Sequence, residues 1–223
     1  MIVATMTAIE VVRDATRDLP AIERKFLREK EKLMRRHTKG DRKAVLEEIH
    51  AYEAPSGNNW FIVLRCSKAG IQNANFAWYR GRDNYLRAVR VREDGLTALH
   101  YSHHVFEQYG ARFAKGVLAL DRLRQFFLDN YACVCHMVDP MADEVEVITS
   151  VNQGWIFGIS DEDEDLVHLT TIVDHGHFVA EQHDLEKKLE FERNLGGMTP
   201  GQKAELLKKL KAAGELGDLP HTG

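Results

Sequence analysis

Cysteine is scarce: three in 223 residues, an odd number that argues against a disulfide scaffold and for a reducing, cytoplasmic setting. No stretch approaches the roughly 18 consecutive apolar residues of a membrane-spanning helix, so no membrane partner is expected. The opening residues lack a basic leader and reach Glu10 and Asp14 too early for a secretory segment. Gly-rich phosphate loops, a Gly-x-Ser-x-Gly elbow and a dinucleotide fingerprint are missing as well. Their absence removes the common nucleotide-driven and serine-hydrolase chemistries, and no cofactor is expected. No internal repeat or low-complexity segment appears.

The most informative shortage is of cations. Residues 132–177 carry no Lys or Arg against 10 Asp+Glu, whereas residues 1–131 carry 23 Lys+Arg against 16 Asp+Glu. The formal net charge of −4 hides this division. The acidic part is expected to fold against the basic part and to turn polyanions away from its own side.

What is present reads as an α+β protein: a twisted antiparallel sheet packed by two central helices, with helical hairpins at both ends. Asp18-Leu-Pro20 opens a helix whose Ile22, Phe26 and Met34 form a stripe. Asp41 then predicts a second helix bearing Val45, Ile49 and Tyr52, which makes residues 1–54 an N-terminal helical hairpin. Residues 2–17 have a spacing nearer to helix than to strand, but their Thr and Val leave the segment open. Ala54-Pro-Ser-Gly-Asn-Asn59 is a linker, and an α+β core domain is expected over residues 60–177. Strands are predicted over residues 60–66, 76–79, 85–92, 96–100, 131–138, 145–159 with a break at Asn152-Gln-Gly154, and 166–173. Helices are predicted after Ser102 and over residues 120–130, and a C-terminal helical extension over residues 178–223.

Two constellations carry chemistry. The first is His100-Tyr-Ser-His-His-Val-Phe-Glu-Gln-Tyr-Gly-Ala-Arg112, a strand-to-helix junction rich in titratable groups. Helical spacing puts Val105, Phe106, Tyr109 and Phe113 on one face and His104, Glu107, Gln108 and Arg112 on the other. The second is an arginine-aromatic lip. Arg90 and Arg92 alternate with Val89 and Val91 as on a sheet with one wet side, joined by Arg80, Arg82, Arg87, Trp78 and Tyr85. Arginines with aromatics suit RNA through phosphate pairing and base stacking. The 11 histidines also cluster as His100/His103/His104 and His175/His177/His183, which with Asp174 would suit a Zn²⁺- or Mn²⁺-dependent hydrolase. Asp161-Glu-Asp-Glu-Asp165 lacks the Gly and distant Glu of a Ca²⁺ loop and reads as a charged hairpin tip. Cys133 and Cys135 read as reduced structural thiols.

The segment His104-Val-Phe-Glu-Gln-Tyr-Gly-Ala-Arg112 resembles the His-x-Phe-x-Arg-Tyr-x-Glu-Arg pattern of small BrnT-like proteins in the RelE-type ribonuclease-toxin superfamily. His104, Phe106, Tyr109 and Arg112 match. Gln108 and Ala111 stand where that pattern has arginine and glutamate, with Glu107 as a neighbouring carboxylate. The resemblance covers residues 100–174 and implies metal-independent RNA cleavage. His104 or His103 would handle the 2′-OH proton, and Arg112 with Arg90 and Arg92 would stabilise the phosphorane. RNA is then the expected partner, with an antitoxin or another protein as a further one. The alternatives are a non-catalytic RNA- or protein-binding module of a mobile element, and the metal-dependent hydrolase.

Overall fold

The computed structural model describes residues 1–40, 44–68, 70–91, 98–137, 145–161 and 165–175. The chain begins with α1 (Ala8–Thr16) and α2 (Leu19–Lys39). Thr7 and Glu10 cap α1 reciprocally. The Glu10 N–H donates to the Thr7 hydroxyl at 3.4 Å, and the Thr7 N–H donates to Glu10 Oε2 at 2.8 Å. Pro20 sits in the first turn of α2, where its missing N–H costs no helical bond. The basic run of α2 is matched within the helix, where Lys25 and Lys32 lie 2.9 and 3.0 Å from the buried Glu29. The hydrogen bond from Lys25 outweighs the effect of burial, and with Lys32 it holds the Glu29 carboxyl at about 2.

Five strands follow: β1 (Leu46–Glu53), β2 (Asn59–Ser67), β3 (Gly70–Arg80), β4 (Leu86–Val91) and β5 (Ala98–Tyr101). Two helices, α3 (His103–Arg112) and α4 (Ala119–Asp129), then lead to β6 (Val134–Met137), β7 (Val145–Val151), β8 (Gly154–Asp161) and β9 (Leu166–Asp174). The nine strands of the described residues form one mixed sheet in the order β1-β2-β3-β4-β5-β9-β8-β7-β6, and with the four helices described the fold is α+β. Two meanders are thus joined side by side. The α3–α4 connection carries the chain from β5 to the far edge at β6, and the second meander returns β9 beside β5. That route makes the β5/β9 pair parallel, where a wholly antiparallel sheet was expected.

Residues 46–53 correct a second expectation. They form an edge strand paired along its length with β2, from Leu46 opposite Cys66 to Glu53 opposite Asn59, and not the second arm of a helical hairpin. Their side chains alternate, with Leu46 and Tyr52 packed toward α2 and Ile49 toward the opposite face. The spacing of Ile49 and Tyr52 satisfies a helix stripe locally, but pairing with the open edge of β2 overrides it. The sheet therefore begins before the 54–59 turn and not after it. β3 is also longer than expected, since the polar residues Gln72, Asn73 and Asn75 are all paired with β2. Arg92, His177, His183, the central acidic residues 162–164 and the expected C-terminal extension lie outside the described residues.

Both faces of the first meander are covered. On one, Phe61, Val63, Phe76, Leu99 and Tyr101 pack with Phe106 and Tyr109 of α3 and with Leu123, Phe126 and Phe127 of α4. Phe76 stacks on Phe127 with centroids 3.8 Å apart. The same layer continues under the second meander through Val147, Ile156, Val167 and Leu169. On the other face, Trp60, Ile62, Leu64, Ala77 and Val89 pack against Val11 and Ala15 of α1 and Ile22 and Leu33 of α2.

A buried polar knot fastens α1 and α2 to the sheet. Asp18 Oδ2, at the junction of the two helices, accepts from Ser56 Oγ (2.9 Å), Asn58 Nδ2 (2.8 Å) and Trp60 Nε1 (3.0 Å). Asn58 Nδ2 also donates to Asp14 Oδ2 at 3.0 Å, and Asn58 Oδ1 accepts the Ile2 N–H at 2.6 Å. Removing the acceptor leaves the buried Trp60 N–H without a partner, so Asp18→Ala should lower stability by roughly 2–4 kcal/mol. Chemical denaturation followed by tryptophan fluorescence measures this, and a change under about 0.5 kcal/mol would show that the knot is not a fastening.

Candidate nucleic-acid interface

The β3–β4 hairpin turns through residues 81–85, closed by the Gly81 N–H on the Tyr85 carbonyl at 3.0 Å and the Asn84 N–H on the Gly81 carbonyl at 2.9 Å. A Cβ at Gly81 would displace the guanidinium of Arg87 from its present place. Arg87 folds across the turn onto Asp83 in a two-pronged pair, Nη1–Oδ1 2.7 Å and Nη2–Oδ2 2.6 Å. That hydrogen bonding holds the Asp83 carboxyl far below the usual carboxylate range. Arg80 donates to the Asn84 carbonyl at 2.8 Å, and Arg82 stands exposed beside it.

The start of α3 meets this hairpin. Tyr85, 48% exposed, stacks on the His103 ring with centroids 4.8 Å apart and planes 27° from parallel. His104 follows at the surface, its Nδ1 3.9 Å from Glu107 Oε2. Ser102 occupies the N-cap position, but its hydroxyl donates to the Thr170 carbonyl of β9 at 3.1 Å. The first-turn N–H groups of α3 are therefore left without a side-chain cap and keep their partial positive charge.

Next to the hairpin an open cleft of about 490 Å³ is lined by residues 4–8 ahead of α1 and by Tyr79, Gly81, Arg82, Asp83, Arg87 and His100. Its inner wall is a hydrogen-bonded pair, Tyr79 Oη and His100 Nε2 at 3.0 Å. Burial first, then the nearby His168 and Arg87, push His100 down to about 4, and burial pushes the Tyr79 phenol up to about 12. Both are neutral at pH 7. A ligand here would meet a neutral wall and a charged lip.

Arg80, Arg82, Arg87, Tyr85, His103 and His104 thus come together around one hairpin and one helix start. The remaining candidates part from them. Arg90 belongs to no wet side, because positions 86, 88 and 90 of β4 face the layer under α3 and α4. Its guanidinium lies 5.7 Å from the Phe76 ring centre and donates to the Tyr131 carbonyl at 3.3 Å. Trp78 is on the same face, stacked on Phe61 at 5.8 Å. Tyr109 is fully buried and donates to Asp129 Oδ2 at 2.8 Å, so it is a core residue and not a surface acid. Burial and Asp129 together raise its phenol pKa further. Arg112 is exposed at the other end of α3, with one N–H on the Ile172 carbonyl of β9. Glu107 faces His104 alone of these groups.

His175, the described member of the second histidine cluster, does not meet His100. His100 pairs across the parallel seam with His168, and His175 lies seven residues further along the chain, roughly 20 Å away at the rise of a strand. His175 instead contacts the Asn152 carbonyl and the Trp155 ring. Among the described residues no group of three His, Cys, Asp or Glu is arranged to hold a metal ion. The residues that sequence reasoning left out are Asp83 and the 4–8 segment. The register of the hairpin, Tyr79 opposite Arg87, is the signal that places Asp83 in its turn.

Comparison of the chain with protein-family models, with curated proteins and with solved structures finds no match.

The depressed value of His100 has a definite sign. An unfolded imidazole takes up its proton near 6.5 and the folded one only near 4, so the stabilisation is whole above about pH 6.5 and is lost as pH falls toward 4. His100→Gln should flatten the decline in urea midpoint between pH 7 and pH 4 relative to the unsubstituted protein. Parallel declines would mean that His100 is not held neutral.

Proposed function

We propose that the protein binds single-stranded RNA at the β3–β4 hairpin and the first turn of α3, as a non-catalytic binding module. The observation that carries this reading is the exposed Tyr85–His103 stack flanked by Arg80 and Arg82. A preformed aromatic platform offers an unstacked base a face to lie on, and the adjacent guanidinium groups suit the phosphates on either side. The uncapped start of α3 adds partial positive charge at the same place. The acidic residues of the second meander favour approach from the hairpin side.

A second reading, metal-independent cleavage of the bound strand, is favoured by one observation: His104 stands at the surface beside the platform, with Glu107 Oε2 3.9 Å from its Nδ1. It would use His104 as base and the free donors of Arg112, without Arg90 or Tyr109, which the interior occupies. The resemblance to BrnT-like ribonuclease toxins then rests on His104 and Arg112, because Phe106 and Tyr109 serve the core.

Fluorescence anisotropy with a labelled single-stranded RNA tests the first reading. Tyr85→Ala should weaken binding about tenfold, within the range of one lost base stack. Arg82→Ala should weaken it and reduce the log–log salt slope by about 0.7, the release expected for one phosphate contact on a single strand. Duplex RNA of the same length should bind less tightly. Equal affinity of Tyr85→Ala and the unsubstituted protein would overturn the proposal. Incubation with the same RNA in EDTA separates the second reading, in which product appears and His104→Ala removes roughly 99% of it.

A further inference from the structure

On the face of the sheet away from the cleft, β4 turns Arg90 into the interior. Between the Phe76 ring and residues 131–133, its guanidinium reaches the Tyr131 carbonyl and, at 3.1 Å, the sulfur of Cys133. Among the described residues no carboxylate lies within ion-pair distance of it. Arginine keeps its proton at any working pH, and a partly buried cation without an anion is costly. The group placed to supply that anion is Cys133, as thiolate. Tyr101 lies beside β4 on β5, opposite Ala88 and in the same layer. The Cys135 sulfur lies 3.2 Å from Thr149 Oγ1 of β7. Interaction with Cys135, against burial and reinforced by Arg90 and Tyr101, brings the Cys133 thiol down to about 6, while the same interaction and burial push Cys135 up. The Arg90 contact thus favours the charged form at Cys133 over Cys135. Cys133 is partly exposed and Cys135 exposed.

We propose that Cys133 and Cys135 are a reactive dithiol pair for hydroperoxides, with Cys133 as the attacking thiolate and Cys135 as the resolving thiol. The Cys133 sulfur attacks one peroxide oxygen, forming an S–O bond as the O–O bond breaks. The departing alkoxide or hydroxide takes a proton, and Cys133 is left as a sulfenic acid. The Cys135 sulfur then attacks the Cys133 sulfur, forming the S–S bond and releasing water. Two thiols are oxidised to one disulfide and one hydroperoxide is reduced to an alcohol, or to water, with one further water formed. Residues two apart on a strand are separated by about 6.6 Å, the upper end of what a disulfide spans. The first residue of β6 in the ladder is Val134, opposite Ser150, so Cys133 precedes the paired segment and has room to close the gap.

The experiment is peptide mass spectrometry on the full chain. With iodoacetamide at pH 7, Cys133 should react about tenfold faster than Cys135, as its thiolate fraction requires. Arg90→Gln should remove that advantage and Arg90→Lys retain most of it, with far-UV circular dichroism confirming the fold of each variant. With hydrogen peroxide, a Cys133–Cys135 peptide lighter by two hydrogens should form. Cys135→Ser should stop at a sulfenic acid trapped by dimedone, and Cys133→Ser should leave Cys135 reduced. Because the serine variants keep side-chain shape, they test the proposal even where Arg90→Gln fails to fold. Labelling of Cys133 no faster than Cys135, or oxidation of Cys135 in Cys133→Ser at the unsubstituted rate, would overturn it.

Discussion

A single carboxylate oxygen, Oδ2 of Asp18, holds two layers of this protein in register. It sits where α1 hands over to α2 and receives three donors from the β1–β2 hairpin, on Ser56, Asn58 and Trp60. Burying a carboxylate is expensive unless its lone pairs are filled, and here the hairpin fills them with groups that would themselves be orphaned elsewhere. The placement of α1 depends on this knot. So does the cleft, because residues 4–8, which form one of its walls, lead directly into α1 and are tethered by Ile2 to Asn58.

Residues 87 and 90 show how strongly a strand's alternation governs chemistry. Arg87 and Arg90 lie three positions apart on β4 and so face opposite sides of the sheet. Arg87 emerges at the cleft and is answered by a carboxylate from its own turn. Arg90 points into the layer beneath α3 and α4 and is answered by sulfur. The same residue type, four residues of chain in all, serves two unrelated environments because both faces are covered.

That double cover explains which parts were legible in the sequence. The helix stripes of α2, α3 and α4 and the strand order within the second meander follow from periodicity and turns, since each is a local signal. Trp60-Phe-Ile-Val-Leu64 is a continuous apolar run, the mark of a strand buried on both faces, and it contradicts the wet side inferred from Arg90 and Arg92. β1 was not legible, because Glu47, Glu48 and Ala51 favour helix and only the edge of β2 decides otherwise. In the site, Tyr85, Arg80, Arg82 and Arg87 belong to one hairpin, and His103 and His104 to the next junction, so sequence proximity brought them near. The Tyr79–His100 pairing and the 4–8 segment come through register and through the knot, and neither is written in any local window.

The parallel seam between β5 and β9 sets an order on assembly. Ser102 and Thr170, joined by a hydrogen bond at its end, are 68 residues apart in the chain. During synthesis the first meander can complete β1 to β4 and both helical layers while β5 still presents an unpaired edge. That edge stays open until residue 169 has left the ribosome and the second meander has folded back. Closing so long a loop is slow compared with forming hairpins, so among the strands interior to the finished sheet β5 is the one left longest open to pairing with another chain.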